Sequence, residues 1–167
     1  YLTIKQYQNV TIDLNNHIIR TSTEAQSATQ VVLNSGTLTI EDNSQDKNGK
    51  ITNAALKPDM SKIPGKGDYL ILNDGTFTLN SGTLECTSTG AATYAVENHI
   101  NSNKVSPTFI MNGGKLIHEH ASAVRMYLNG TMYEGNTNSV IINGGTIESH
   151  GYGVAVHYST SSTIAPH

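Results

Sequence analysis

Short runs of alternating apolar and polar residues return along this chain in a fixed order. Val140-Ile141-Ile142-Asn143-Gly144-Gly145-Thr146-Ile147-Glu148 is repeated upstream by Phe109-Ile110-Met111-Asn112-Gly113-Gly114-Lys115-Leu116-Ile117 and by Phe77-Thr78-Leu79-Asn80-Ser81-Gly82-Thr83-Leu84-Glu85. Asn80 and Asn112 are 32 residues apart, and Asn112 and Asn143 are 31 apart. A repeat of that length marks stacked units, none of which can bury its apolar face alone.

Three strand types follow one another. A first set comprises Tyr1-Leu2-Thr3-Ile4, Val31-Val32-Leu33-Asn34, Tyr69-Leu70-Ile71-Leu72-Asn73, Tyr94-Ala95-Val96-Glu97, Ala123-Val124-Arg125-Met126 and Val154-Ala155-Val156-His157-Tyr158. A second contains Thr11-Ile12-Asp13-Leu14, Thr37-Leu38-Thr39-Ile40 and the runs ending at Asn80, Asn112 and Asn143; most members alternate with the period of a half-buried strand. A third contains His17-Ile18-Ile19-Arg20, Lys50-Ile51-Thr52, Thr83-Leu84-Glu85, Lys115-Leu116-Ile117 and Thr146-Ile147-Glu148. Asn and Gly dominate the links between second and third strands because they adopt positive φ at low cost. Antiparallel hairpins closing on Asn-Gly-Gly would give a β-sandwich. A sandwich does not require the same triplet of strands to return in the same order; a coil climbing one step per turn does. The expectation is an all-β solenoid of about five to six coils with three parallel sheets, filling one domain over residues 1–167.

These residues resemble the right-handed parallel β-helices of the pectate-lyase-like superfamily, and within it the Asn-Gly-Gly-Thr-Ile repeats of bacterial surface proteins and phage appendages. The resemblance covers essentially the whole chain. It implies the solenoid and leaves open lyase, hydrolase, adhesin or tailspike activity. The superfamily's enzyme motifs are departed from: Arg20 and Arg125 fall on different strand types without an aspartate cluster, the chain has no Asp-Asp, and Ser149-His150-Gly151 differs from Gly-His-Gly at its first residue.

Insertions stand out against the ladder. Residues 53–68 carry Pro58, Pro64, Gly65 and Gly67 and predict a surface excursion. Loops 99–107 and 129–138 leave the same corner of successive coils and are expected to lie side by side, where a partner could be recognised.

Charge narrows the function classes. The net charge of −3 and only two arginines argue against a nucleic-acid footprint. Apolar runs such as Val31-Val32-Leu33 fall far short of the ~20 residues that span a bilayer, so no membrane span is expected. Cys86, the single cysteine, has no internal disulfide partner. The chain starts at Tyr1 without an initiator Met, as a processed product or a piece of something longer would.

Candidate chemistry sits on several columns. Glu85 and Glu148 share a position two coils apart with Ile117 between them, ~9.6 Å at the usual strand spacing; that is close to the carboxylate separation of inverting glycosidases, roughly 6.5–9.5 Å. Alternation from Leu116 turns His118 inward and Glu119 outward, making Glu119 and His150 outward neighbours with His120 on the other face, so no three metal ligands converge. Aligning Ala95-Val96-Glu97, Ala123-Val124-Arg125 and Ala155-Val156-His157 predicts an outward stack of Glu97, Arg125 and His157; with Tyr127 and Tyr158 it forms the candidate ligand site. Glu41 through Gly49 forms an acidic loop in which Asp42, Asp46 and Asn48 are the candidate calcium ligands, although Ala55 stands where a bidentate glutamate would be needed.

The reading that follows is a non-catalytic attachment or spacer module on a bacterial cell or virion surface, binding a glycan or a host or cell-surface protein and using no cofactor. The alternative is a polysaccharide lyase or glycoside hydrolase built on Glu85 and Glu148. The stretch from Tyr158 through Thr163-Ile164-Ala165-Pro166 is short for a cap on the last coil, so capping by a neighbouring chain, by a second copy or by flanking sequence is expected.

Overall fold

The computed structural model describes residues 1–20, 30–53, 69–88, 93–100, 106–128 and 136–158. Among them sixteen strands build three parallel sheets. The first sheet stacks β1 (Leu2–Ile4), β4 (Gln30–Asn34), β7 (Tyr69–Asn73), β10 (Tyr94–Ile100), β13 (Val124–Leu128) and β16 (Val154–Tyr158). The second stacks β2 (Asn9–Asp13), β5 (Thr37–Glu41), β8 (Thr76–Leu79), β11 (Thr108–Met111) and β14 (Ser139–Ile142). The third stacks β3 (Ile18–Arg20), β6 (Lys50–Thr52), β9 (Thr83–Cys86), β12 (Lys115–His118) and β15 (Thr146–Ser149). Every pairing is parallel and in register, so five strand triplets and a closing strand form the expected β-solenoid.

Columns of apolar residues run through the interior because parallel register puts equivalent positions over one another. Leu38, Phe77, Phe109 and Val140 form one, and the two phenylalanine rings stack with centroids 5.1 Å apart. Ile19, Ile51, Leu84, Leu116 and Ile147 form a second; Val32, Ile71, Val96 and Val124 a third. Their middle members are fully buried. Ile142 is 45% exposed, since β14 ends the second sheet and nothing among the described residues stacks over it. Ile147 is partly buried and packs against the core.

Two asparagine ladders lace the coils together. An inner one runs Asn34 Nδ2 to Asn73 Oδ1 at 2.7 Å and Asn73 Nδ2 to Asn98 Oδ1 at 2.8 Å, and the same amides also donate to the carbonyls of Thr76, Thr108 and Ser139. All three of these asparagines are fully buried. The outer ladder runs up the corner between the second and third sheets, with Asn112 donating to Asn80 at 3.0 Å and Asn143 to Asn112 at 2.8 Å. Gly82, Gly114 and Gly145 make that corner with φ of +85°, +76° and +89°, as the Asn-Gly-Gly pattern predicts.

The excursion over 54–68, with Ala55 and its prolines, lies outside the described residues, as do the tips 101–105 and 129–135 and the closing stretch 159–167. The return stems of the two loops do lie side by side: Ser139 N donates to Pro107 O at 3.0 Å and Thr137 N to Ser106 Oγ at 3.2 Å.

Candidate functional site

The outer face of the first sheet gathers aromatic and charged side chains from β7, β10 and β13, with His157 of β16 at its end. Along β10 the inward positions are taken by Val96 and Asn98, which turns Glu97 and His99 to the outer side. Register then sets Arg125 beside Glu97, Tyr127 beside His99, and His157 beside Tyr127.

Arg125 Nη1 donates to Glu97 Oε2 at 3.1 Å. The guanidinium lies between two rings, its carbon 4.2 Å from the Tyr127 centroid and 4.9 Å from that of Tyr94. Such a placement adds cation–π attraction to the ion pair. Tyr69 stacks on Tyr94 at 6.2 Å and donates its hydroxyl to Glu97. Both charges are deeply covered, Glu97 being 3% and Arg125 8% exposed. Burial raises the Glu97 carboxyl above its ordinary range against the opposing pull of Arg125 and His99 and the hydrogen bonds from Tyr69 and Arg125. Burial and the Glu97 charge likewise push the Tyr69 phenol upward.

A second row lies beside this pair. The His99 and Tyr127 rings are 5.2 Å apart, and Tyr127 and His157 stack at 5.7 Å. His99 Nδ1 is 3.4 Å from Asp74 Oδ1, on a carboxylate that is itself buried. The rings lean on one another across the coils, so the row presents edges and nitrogen or hydroxyl groups more than open faces.

The sequence placed Glu97, Arg125, Tyr127 and His157 on one face, and the structure does so too, with one correction. Arg125 is opposite Ala155, and His157 is opposite Tyr127, because Val154 takes the slot over Val124 that alignment gave to Val156. The three residues are therefore two rows and not a single stack. The Tyr158 side chain lies outside the described residues. Tyr69, Tyr94, Asp74 and His99 were missed; tyrosines opening two successive first strands were the available signal.

Glu85, Ile117 and Glu148 share a column as expected. Each carboxylate is tied to a lysine, Glu85 to Lys50 at 2.9 Å and Glu148 to Lys115 at 2.8 Å, and Thr52 also donates to Glu85. Asp42 is fully buried and accepts from the backbone N–H of Asn16, Ser44 and Gly49 and from the Ser44 hydroxyl. Burial works against its charge, but those hydrogen bonds prevail and bring its pKa down to about 2. Its oxygens hold the loop shut, while Asp46 and Asn48 stand exposed. No group of three or more His, Cys, Asp or Glu side chains among the described residues is arranged to hold a metal ion.

His118 points inward as expected and is buried beside Cys86 on the neighbouring strand. Its Nδ1 accepts from the N–H of His120 and Ala121, leaving the proton on Nε2, 3.0 Å from Thr93 Oγ1. Burial, with a smaller contribution from His120, lowers its pKa to about 4 despite the bond to Thr93. The surface Glu–His pair is formed by Glu119 with His120 at 3.8 Å, not with His150, because His120 swings out as the chain leaves β12.

No protein-family model matches the chain, and comparison with curated proteins and with solved structures gives no match.

Proposed function

We propose that the chain is a non-catalytic attachment module of a bacterial cell or virion surface, which binds a glycan through the outer face of its first sheet. The observation that carries this reading is the segregation of side chains among the three outer faces. Tyr69, Tyr94, Tyr127, His99 and His157 are gathered with the Glu97–Arg125 pair on one face. The second sheet instead shows threonine and serine positions such as Thr37, Thr76, Thr108 and Ser139, and the third neutralises its glutamates with its own lysines. Aromatic and arginine side chains are the usual anchors of recognition, and ring edges with hydroxyl and imidazole groups suit a polyhydroxylated partner.

A glycan array probed with the full chain, followed by calorimetry on the best ligand, tests this. Tyr127→Ala or His157→Ala is expected to weaken binding by roughly tenfold, as loss of one aromatic anchor does; the exposed His157→Ala leaves the melting temperature nearly unchanged, whereas Tyr127→Ala lowers it because its ring packs on Arg125. Absence of any glycan hit, or equal affinity in both variants, overturns it.

The enzymatic alternative draws its support from Asp74 and His99, since a buried carboxylate facing a ring nitrogen is how a general base is oriented. Release of reducing or unsaturated ends from an acidic polysaccharide, abolished in His99→Gln, would replace the attachment reading.

A further inference from the structure

Asn-Gly pairs occur at Asn48, Asn112 and Asn143 among the described residues. Glycine carries no Cβ to shield its backbone nitrogen, so that nitrogen can reach the preceding side-chain carbonyl. We infer that Asn143 is a site of self-modification, deamidating through a succinimide with water as the only co-reactant, and that the outer asparagine ladder protects Asn112 from the same fate.

The steps balance within this corner. Gly144 N bonds to Asn143 Cγ; the Cγ–Nδ2 bond breaks, and the amide proton leaves with Nδ2 as ammonia. Water then opens the five-membered imide at either carbonyl, giving aspartate or isoaspartate. Ring closure requires the side chain to rotate away from its hydrogen bonds and the glycine N–H to leave its acceptor.

Those requirements rank the three sites. At Asn48 the attacking nitrogen is Gly49 N, which is buried and donates to the Asp42 carboxylate at 2.6 Å, a short charge-assisted bond. Asn112 is held at both ends, donating to Asn80 at 3.0 Å and accepting from Asn143 at 2.8 Å. Asn143 donates to Asn112, but β14 and β15 end their sheets, and among the described residues no further coil grips it from the other side. The glycine nitrogens differ little, Gly113 N lying 3.4 Å from Leu79 O and Gly144 N 3.2 Å from Met111 O, each sharing an acceptor with the asparagine N–H before it. The side-chain clamp therefore decides, and the order is Asn143, then Asn112, then Asn48.

The product alters the last corner. Aspartate at 143 has no N–H to give Asn112 Oδ1, so the final rung is lost. Isoaspartate adds a main-chain carbon just before Gly144, one residue ahead of Gly145 with its φ of +89°, and displaces β15 against β12, including Glu148 against Lys115.

The test is peptide mapping by mass spectrometry after incubating the full chain in mildly alkaline buffer, folded and in denaturant. Folded protein is expected to deamidate at Asn143 roughly fivefold faster than at Asn112, the worth of one net side-chain hydrogen bond, with the two rates converging in denaturant. Asn143→Ala, at an exposed position, is expected to raise the Asn112 rate toward that of Asn143 in the parent. An Asn112 rate equal to or above that of Asn143 in folded protein, or one unmoved by Asn143→Ala in a variant of unchanged melting temperature, overturns the inference.

Discussion

Asp42 and His118 are inward polar groups whose protonation is tied to the fold. His118 has a folded pKa of about 4 against an ordinary 6.5, so between those values the unfolded chain binds the extra proton and stability rises with pH. Its contribution is complete above pH 6.5 and is lost as the pH falls to about 4. Asp42, at about 2 against 3.8, contributes fully above pH 3.8 and loses its contribution on the way to pH 2. Acid unfolding followed by urea titration is therefore expected to show two declines, and His118→Gln, although less stable, should lack the upper one. The Glu97–Arg125 pair gives a second expectation at this scale. Arg125→Met leaves a buried carboxylate stranded and should cost about 3–5 kcal/mol, whereas the double variant with Glu97→Gln should recover much of that. The inward turn of His118 was legible from alternation beginning at Leu116. The role of Asp42 was not, because one of its donors, Asn16, lies 26 residues away and is brought close only by coil stacking.

Between strands, register determines which groups meet. The second and third sheets were legible because Asn-Ser-Gly or Asn-Gly-Gly fixes the corners of the last three coils, and a corner fixes the pairing that follows. The first sheet was less so: its strands are entered from segments of differing length, and in β16 the apolar run Val154-Ala155-Val156 fits two registers separated by two residues. Nothing local distinguishes them; the observed one seats Val154 over Val124. The inner ladder also escaped notice, since an asparagine ending a strand reads first as a turn residue. Asn73→Ala should expose its importance: it removes one of the two acceptors of the Asn34 amide, which keeps Thr76 O, together with the donor to Asn98 Oδ1 and Thr108 O, and each buried group left unmatched costs about 1–3 kcal/mol. The exposed Asn112→Ala should cost under about 1 kcal/mol by the same measurement, urea unfolding. Equal losses would show that burial is not what gives the inner ladder its weight.

At the scale of the whole molecule the solenoid is close to one-dimensional, each coil touching only its neighbours. Stability should therefore fall toward the ends. Hydrogen exchange is expected to be slowest in β5, β8 and β11, whose inward apolar side chains are fully covered, and fastest in β14, where Ile141 and Ile142 are nearly half exposed, and in β15, which ends the third sheet. Uniform protection along the axis would contradict this. The architecture was legible because the same order of strand types returns in all five triplets, whereas the binding face was only partly so, its chemistry arising from residues up to two coils apart.

The in-register columns carry one more consequence, for how such a chain can lengthen. Phe109 and Val140 are register partners 31 residues apart, and the upper edge of each coil offers the same parallel pattern as its lower edge. A gene duplication copying one such interval would insert a segment that docks on both neighbours without disturbing either, extending the rod by ~4.8 Å. Copy number thus becomes a ruler, and reach can be inherited in whole steps while the corner residues stay as they are.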